Sequence, residues 1–113
     1  MYRPKHFDVD EIARLHELIR EEPFGTLISP DSAGLVASHV PFVLRAGGDL
    51  GTLFGHVARS NAQWKGFDGA TEVLVTFQGP HAYVSPAWME SESNVPTWNY
   101  IAVHAYGLSL IHI

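Results

Sequence analysis

Apolar residues recur with a helical period near the N-terminus and with a period of two over most of the remaining chain. Over residues 8–22, Ile12, Leu15 and Ile19 follow i, i+3, i+7 spacing, and Val9 and Leu18 widen the stripe. Asp8 stands where it can cap a first turn, Glu11 lies three residues on as in a capping box, and Pro23 stops the segment. The pattern predicts one amphipathic helix over 8–22, packed over the mouth or side of a sheet. Beyond Pro23, short apolar runs between turn residues predict strands over 24–29, 35–44, 51–56, 72–78, 81–85 and 97–107. Pro30-Asp31-Ser32-Ala33-Gly34 and Ala46-Gly47-Gly48-Asp49 supply turn chemistry, and Pro41 implies a sheet edge or a bulge. Residues 60–66 read as a short helix broken by Phe67-Asp68-Gly69, and residues 89–95 as a polar, mobile loop. One helix followed by successive strands predicts an α+β, mainly β fold, barrel-like rather than a parallel α/β sheet.

Composition narrows this picture. A chain of 113 residues holds one domain with a core of modest size, and 46% apolar against 17% charged residues is a globular balance. The absence of cysteine excludes a disulfide framework, a thiolate nucleophile and any cysteine-ligated metal, and it suits a reducing compartment. No apolar run approaches a membrane span, and Met1-Tyr2-Arg3-Pro4-Lys5-His6-Phe7 has no hydrophobic signal core, so a cytoplasmic location away from membranes is expected. A formal charge of −5 with seven scattered basic residues argues against autonomous nucleic-acid binding, which needs clustered cations.

Three segments are too polar and too specific for plain sheet. In Gly55-His56-Val57-Ala58-Arg59-Ser60-Asn61-Ala62-Gln63-Trp64, a strand runs through Arg59 into two good N-cap residues, Ser60 and Asn61. Free N–H groups at a helix start beside a guanidinium suit a phosphate, and Lys65 one turn on could add charge. The same residues also suit an ordinary strand-to-helix corner with a solvated arginine. In Leu35-Val36-Ala37-Ser38-His39-Val40-Pro41, alternation puts Ser38 on one face and His39 on the other, where each can meet a heterocycle's polar edge or simply satisfy local backbone. Near the C-terminus, Trp98 and Tyr100 share a face with Ala102, while Asn99 shares the other with Ile101 and Val103. Rings stack on planar ligands and Asn99 offers both donor and acceptor, although a barrel core would use the same aromatics.

Other chemistries find less support. His39, His56, His81 and His104 lie on or beside strands, so a three-histidine metal site is conceivable, but no short-range ligand spacing joins them. There is no G-x-S-x-G elbow and no acid placed to orient a base, and Gly47-Gly48 lies in a polar turn rather than in a dinucleotide loop.

Taken together, Met1-Tyr2-Arg3-Pro4-Lys5-His6-Phe7, Gly34-Leu35-Val36-Ala37-Ser38-His39-Val40-Pro41, Gly55-His56-Val57-Ala58-Arg59-Ser60-Asn61 and Pro96-Thr97-Trp98-Asn99-Tyr100 resemble the PaiB family. Its members are termed FMN-binding negative transcriptional regulators and are relatives of the pyridoxamine phosphate oxidase split barrel. The resemblance covers residues 1–107 and implies a split β-barrel homodimer with FMN at the subunit interface. It implies Arg59, Ser60 and Asn61 as phosphate contacts, with Ser38, His39 and His56 near the flavin ring and Trp98 and Asn99 approaching across the dimer. It leaves open a repressor responding to flavin or a metabolite, a flavin-dependent oxidoreductase, and a haem-binding split-barrel protein. Whether the chain is an enzyme stays open with them.

Residues 1–107 are thus expected to form the N-terminal part of one split-barrel domain, incomplete in this chain. Residues 108–113, Leu108-Ser109-Leu110-Ile111-His112-Ile113, are expected to be a non-native tail, because their codons can be read as a transposase adapter used in sequencing libraries. Resequencing that continues natively through those codons would overturn that expectation.

Overall fold

In the computed structural model, which describes residues 1–88 and 95–111, the helix α1 runs over Ile12–Glu21. It is shorter than the predicted 8–22 because Asp8 is engaged elsewhere. The Asp8 carboxylate pairs with Arg3 at 3.1 Å, and its N–H donates to Lys5 O. Glu11 occupies the N-cap position with no side-chain cap bond, so the capping box does not form, and Val9 stays exposed outside the helix. Leu15 and Leu18 pack inward beside the buried Ile19, as the stripe requires.

Strand β1 (Phe24–Asp31) returns antiparallel into β2 (Gly34–Pro41). The turn is local chemistry: Asp31 Oδ1 accepts the Ala33 N–H at 2.7 Å, and Gly34 adopts φ of +132°, a conformation that side chains disfavour. The predicted strand 35–44 divides after Pro41. There the Phe42 N–H turns out of the ladder to donate to Pro23 O at 2.9 Å, and β3 (Val43–Arg45) pairs instead with β4 (Thr52–Phe54) in a separate hairpin. His16 Nε2 donates to Leu50 O at 2.7 Å, fastening α1 to that hairpin.

The strands predicted at 72–78 and 81–85 are one, β5 (Glu72–Val84). A register shift between Gln78 and His81 absorbs Gly79-Pro80, where the proline's missing N–H interrupts no ladder bond. With β6 (Thr97–Leu108) they complete an antiparallel four-stranded sheet of order β2-β1-β5-β6. Pro41 ends an edge strand, as expected. The expected mobile loop 89–95 falls, apart from Val95, outside the described residues.

Register and alternation decide where the core forms. Leu27, Val40, Val73, Val75, Phe77 and Val103 point to the face that α1 covers, with Phe42 edge-on to Phe77 at 5.8 Å between ring centroids. Gly25 is bare because Phe77 crosses it; an added Cβ would stand 2.9 Å from Phe77 Cε1. The opposite face carries His39, Thr26, Thr76 and His104 in a single cross-strand row, with Thr26 Oγ1 bonded to His39 Nδ1 at 3.2 Å. Past the bulge, β5 and β6 continue as a two-stranded arm. The architecture is α+β and mainly β, in keeping with a split barrel. Among the described residues no helix is long and apolar enough to cross a membrane.

Candidate functional site

Residues 55–66 leave β4 and fold back over the end of the β1–β2 hairpin, ending in a short 3-10 helix, Ala62–Gly66. Its cap is Asn61 rather than Ser60: Asn61 Oδ1 accepts the Gln63 N–H at 3.1 Å. The other end of that amide, Nδ2, donates to Ser38 Oγ on β2 at 2.9 Å. Asn61 N–H itself donates to Ala58 O at 2.8 Å. Two of the N–H groups expected to be free for an anion are therefore already satisfied, and both side-chain atoms of Asn61 serve the turn.

Trp64 closes the other side, with Nε1 donating to Arg59 O at 2.9 Å, while Lys65 Nζ lies 5.9 Å over the Trp64 ring. The Arg59 backbone is thus pinned while its side chain points to solvent. Among the described residues the ion pairs are Arg3–Asp8 and Arg14–Glu17, so within that set the Arg59 guanidinium has no acidic partner. A fixed backbone carrying such a guanidinium is suited to an oxyanion.

Sequence reasoning did not identify Gln63, which is only 2% exposed. Its Nε2 approaches Leu27 O at 3.0 Å, Ser29 Oγ at 2.9 Å and Val36 O at 3.2 Å. Ser60-Asn61-Ala62-Gln63 has capping-box spacing, which points to Gln63 as a surface cap; the fold turns it inward instead.

The other expected site residues are dispersed. His39 projects from the face opposite Ser38, bonded to Thr26 and stacked near Phe24 at 6.0 Å. His56 lines an open, mainly apolar depression of about 350 Å³ with Pro41, Phe42, Val43, Phe54 and Gly55, just upstream of Arg59. Lys65 borders a second depression with Asp31, Ser32, Ala62 and Gly66. Trp98 and Asn99 sit on the β5–β6 arm, and the ladder sets their distance from the turn. Ser38 aligns with Leu27, Val75 and Ala105, which places Asn99 about 14 Å across the strands and about 20 Å along them. Within one chain they do not join Arg59. Alternation also parts the two: Trp98 faces His81 and Tyr83, and Asn99 faces the other way. Trp98 Nε1 donates to His81 Nδ1 at 2.9 Å, and Tyr83 brings Trp88 and Trp98 into one exposed aromatic cluster. Among the described residues no cluster of three or more histidine or acidic side chains is arranged around a metal site.

Asp68 organises the exit toward β5. Its carboxylate accepts the Ala70 N–H at 2.9 Å, the Thr71 N–H at 2.7 Å and the Thr71 hydroxyl at 2.9 Å. Those bonds, the one from Ala70 first, hold its pKa below the ordinary carboxylate value.

A family model described as "Putative FMN-binding domain" matches residues 1–112. The chain is 43% identical over 107 residues to the Bacillus subtilis protein named protease synthase and sporulation protein PAI 2, an alignment covering 95% of this chain and 51% of that protein. An uncharacterized protein of Saccharomyces cerevisiae is 34% identical over 130 residues, covering 95% of this chain and 76% of the yeast protein. One from Aspergillus fumigatus is 38% identical over 132 residues, covering 85% and 51%. The chain thus spans about half the length of the Bacillus and Aspergillus relatives.

Proposed function

Because the chain belongs to the FMN-binding domain family, with FMN as its cofactor, we propose that the turn 58–61 is where the flavin's phosphate is held. The observation that carries this reading is the Arg59 guanidinium, without an acidic partner among the described residues, on a backbone pinned by Trp64 and Asn61. The residues present fit the group. Arg59 and Ser60 offer donors to a phosphate, Lys65 adds a cation, and Asn61, spent on Ser38 and Gln63, keeps them in place. His56 and the depression beside it would receive part of the ring, whose bound form supplies redox chemistry that the polypeptide lacks. Ser38 would act through Asn61, and His39 would serve the opposite sheet face.

Trp98 and Asn99 enter this reading from a second copy. One chain holds them too far from Arg59, so a homodimer would complete the flavin site, with the aromatic arm reaching the partner's turn. The protein is then a PaiB-type, FMN-binding regulator acting in the cytoplasm, with flavin occupancy or redox state as its signal. The name of the Bacillus relative, protease synthase and sporulation protein PAI 2, accords with a role in a cellular programme such as sporulation. The formal charge of −5 favours regulation through a protein partner over direct DNA contact by this segment.

Flavin titration followed by fluorescence tests the site, with FMN and riboflavin compared. Saturable quenching with FMN the tighter ligand is the expected result. Equal affinity for riboflavin would remove the phosphate role of the turn, and no binding of either would remove the flavin reading from this chain. Sedimentation with and without FMN tests the dimer, and tight, salt-sensitive binding to promoter DNA would overturn the preference for a protein partner.

A further inference from the structure

We infer that Gln63 is a positioning residue: a buried amide that sets the phosphate-binding turn in its working geometry before any ligand arrives. This rests on the reading of Arg59 and Ser60 given above. Two side chains in the same turn already tie it down, Asn61 to Ser38 in a half-buried bond and Trp64 to Arg59 O in an exposed one. Gln63 ties it to the interior. Its amide spans both strands of the β1–β2 hairpin, meeting Leu27 O and Ser29 Oγ on β1 and Val36 O on β2.

The chemistry of the pocket fixes the direction of that amide. Two carbonyl oxygens require a donor, so Nε2 must face them; rotating the group would set Oε1 against both. Nε2 has two hydrogens for three acceptors, and among the described residues Oε1 has no partner. Burying a polar group in this state is unfavourable compared with an aliphatic side chain of similar volume. A residue whose task was to fill space here would be leucine or methionine. What the amide adds is direction: it orients the residue whose own N–H donates to the Asn61 cap oxygen and whose neighbour, Trp64, holds Arg59 O. Moving Gln63 therefore moves both braces of the turn together.

The consequence is specific. Loss of the Gln63 amide should loosen the turn that would meet the phosphate while leaving the surfaces that would meet the ring unchanged. The test is a titration of the full chain and of Gln63→Met and Gln63→Asn with two probes, FMN and riboflavin. Gln63→Met is expected to lower FMN affinity about tenfold, the scale of one well-placed hydrogen bond, while riboflavin affinity stays within about twofold. Gln63→Asn keeps an amide in the interior but withdraws it by one methylene, and should fall between. An equal loss for both flavins, or no loss for FMN, would overturn the inference, since a merely structural role has no reason to single out the phosphate. Failure of the native chain to prefer FMN would instead sink the phosphate reading of Arg59. A measurement that needs neither ligand nor variant stands beside these: hydrogen exchange of the native, flavin-free chain. The Asn61 and Gln63 amides should be protected without ligand, and their rapid exchange would overturn the preset turn even if neither variant folds.

Discussion

Asn61 Nδ2 donates to Ser38 Oγ at 2.9 Å, joining the turn that carries Arg59 to an edge strand 23 residues earlier in the chain. The same side chain caps the following helix through Oδ1. A residue with both polar atoms engaged in this way is scaffold, and the proposed ligand contacts are the side chains beside it, on Arg59 and Ser60.

Replacing Arg59 should therefore separate binding from folding. Arg59→Ala is expected to weaken FMN by about 1.5–3 kcal/mol, the range for a hydrogen bond to a charged group. Its exposed side chain has no partner among the described residues, so the unfolding midpoint should barely move. Isothermal titration and chemical denaturation on the same samples check both halves, and an unchanged dissociation constant would take Arg59 out of the site.

Two substitutions at Asn61 should rank in opposite orders by two assays. Asn61→Ala removes the cap and the Ser38 bond, costing about 0.5–2 kcal/mol of stability. Asn61→Asp keeps the capping oxygen, so its stability should lie nearer the native value. It also sets an anion beside the turn, so its FMN affinity should be the poorer of the two. If the aspartate variant binds FMN better than the alanine variant, the phosphate does not sit here.

The contact of Gly25 with Phe77 sets a packing limit. Phe77, at 1% exposed, is the largest fully buried side chain among the described residues, and Phe77→Ala should cost about 3–5 kcal/mol. Gly25→Ala forces a methyl against that ring and should cost about 1–3 kcal/mol. Phe77→Leu removes the ring edge, so the double variant with Gly25→Ala should be more stable than the sum of the two single effects. Denaturation of the four proteins in a cycle measures this coupling, and strict additivity would contradict the contact.

Acid should loosen the Asp68 turn only at a pH below the ordinary carboxylate range. The pKa of Asp68 is lowered in the folded state, so its bonds contribute stability above the unfolded carboxylate value. That contribution is lost as pH falls through the lower, folded value. Amide shifts of Ala70 and Thr71 should titrate together with a midpoint below the ordinary carboxylate range, and Asp68→Asn should abolish the transition. A midpoint at or above the ordinary value would show that the bonds do not persist in solution.

Most elements were legible because their signals are local. The α1 stripe, the Asp31–Gly34 turn, the edge position implied by Pro41 and the short helix after Asn61 follow from neighbours within a few residues. Of three errors, the first has a local origin in residues before the helix, and the other two arise from a distant partner. Asp8 left the helix for Arg3, Phe42 left the strand for Pro23 O, and Gly79-Pro80 joined two strands because β6 continued alongside them. For the proposed site, residues could be named from the sequence but their arrangement could not. Arg59, Ser60 and Asn61 were named from their motif, whereas Gln63, a polar residue among polar neighbours, carried no mark of burial.

Side-chain alternation and turn chemistry determined from the sequence alone that this is a mainly β chain, and the PaiB-like motifs placed it in an FMN-binding family, since each depends on residues adjacent along the backbone. Only the tertiary structure decided that Asn61 is spent on Ser38, that Gln63 points inward, and that Trp98 and Asn99 lie far from Arg59 within one chain. Those outcomes depend on strand register and on which face a corner covers. Both are settled by burying Phe77 and its neighbours from several strands at once, which no window of the sequence contains.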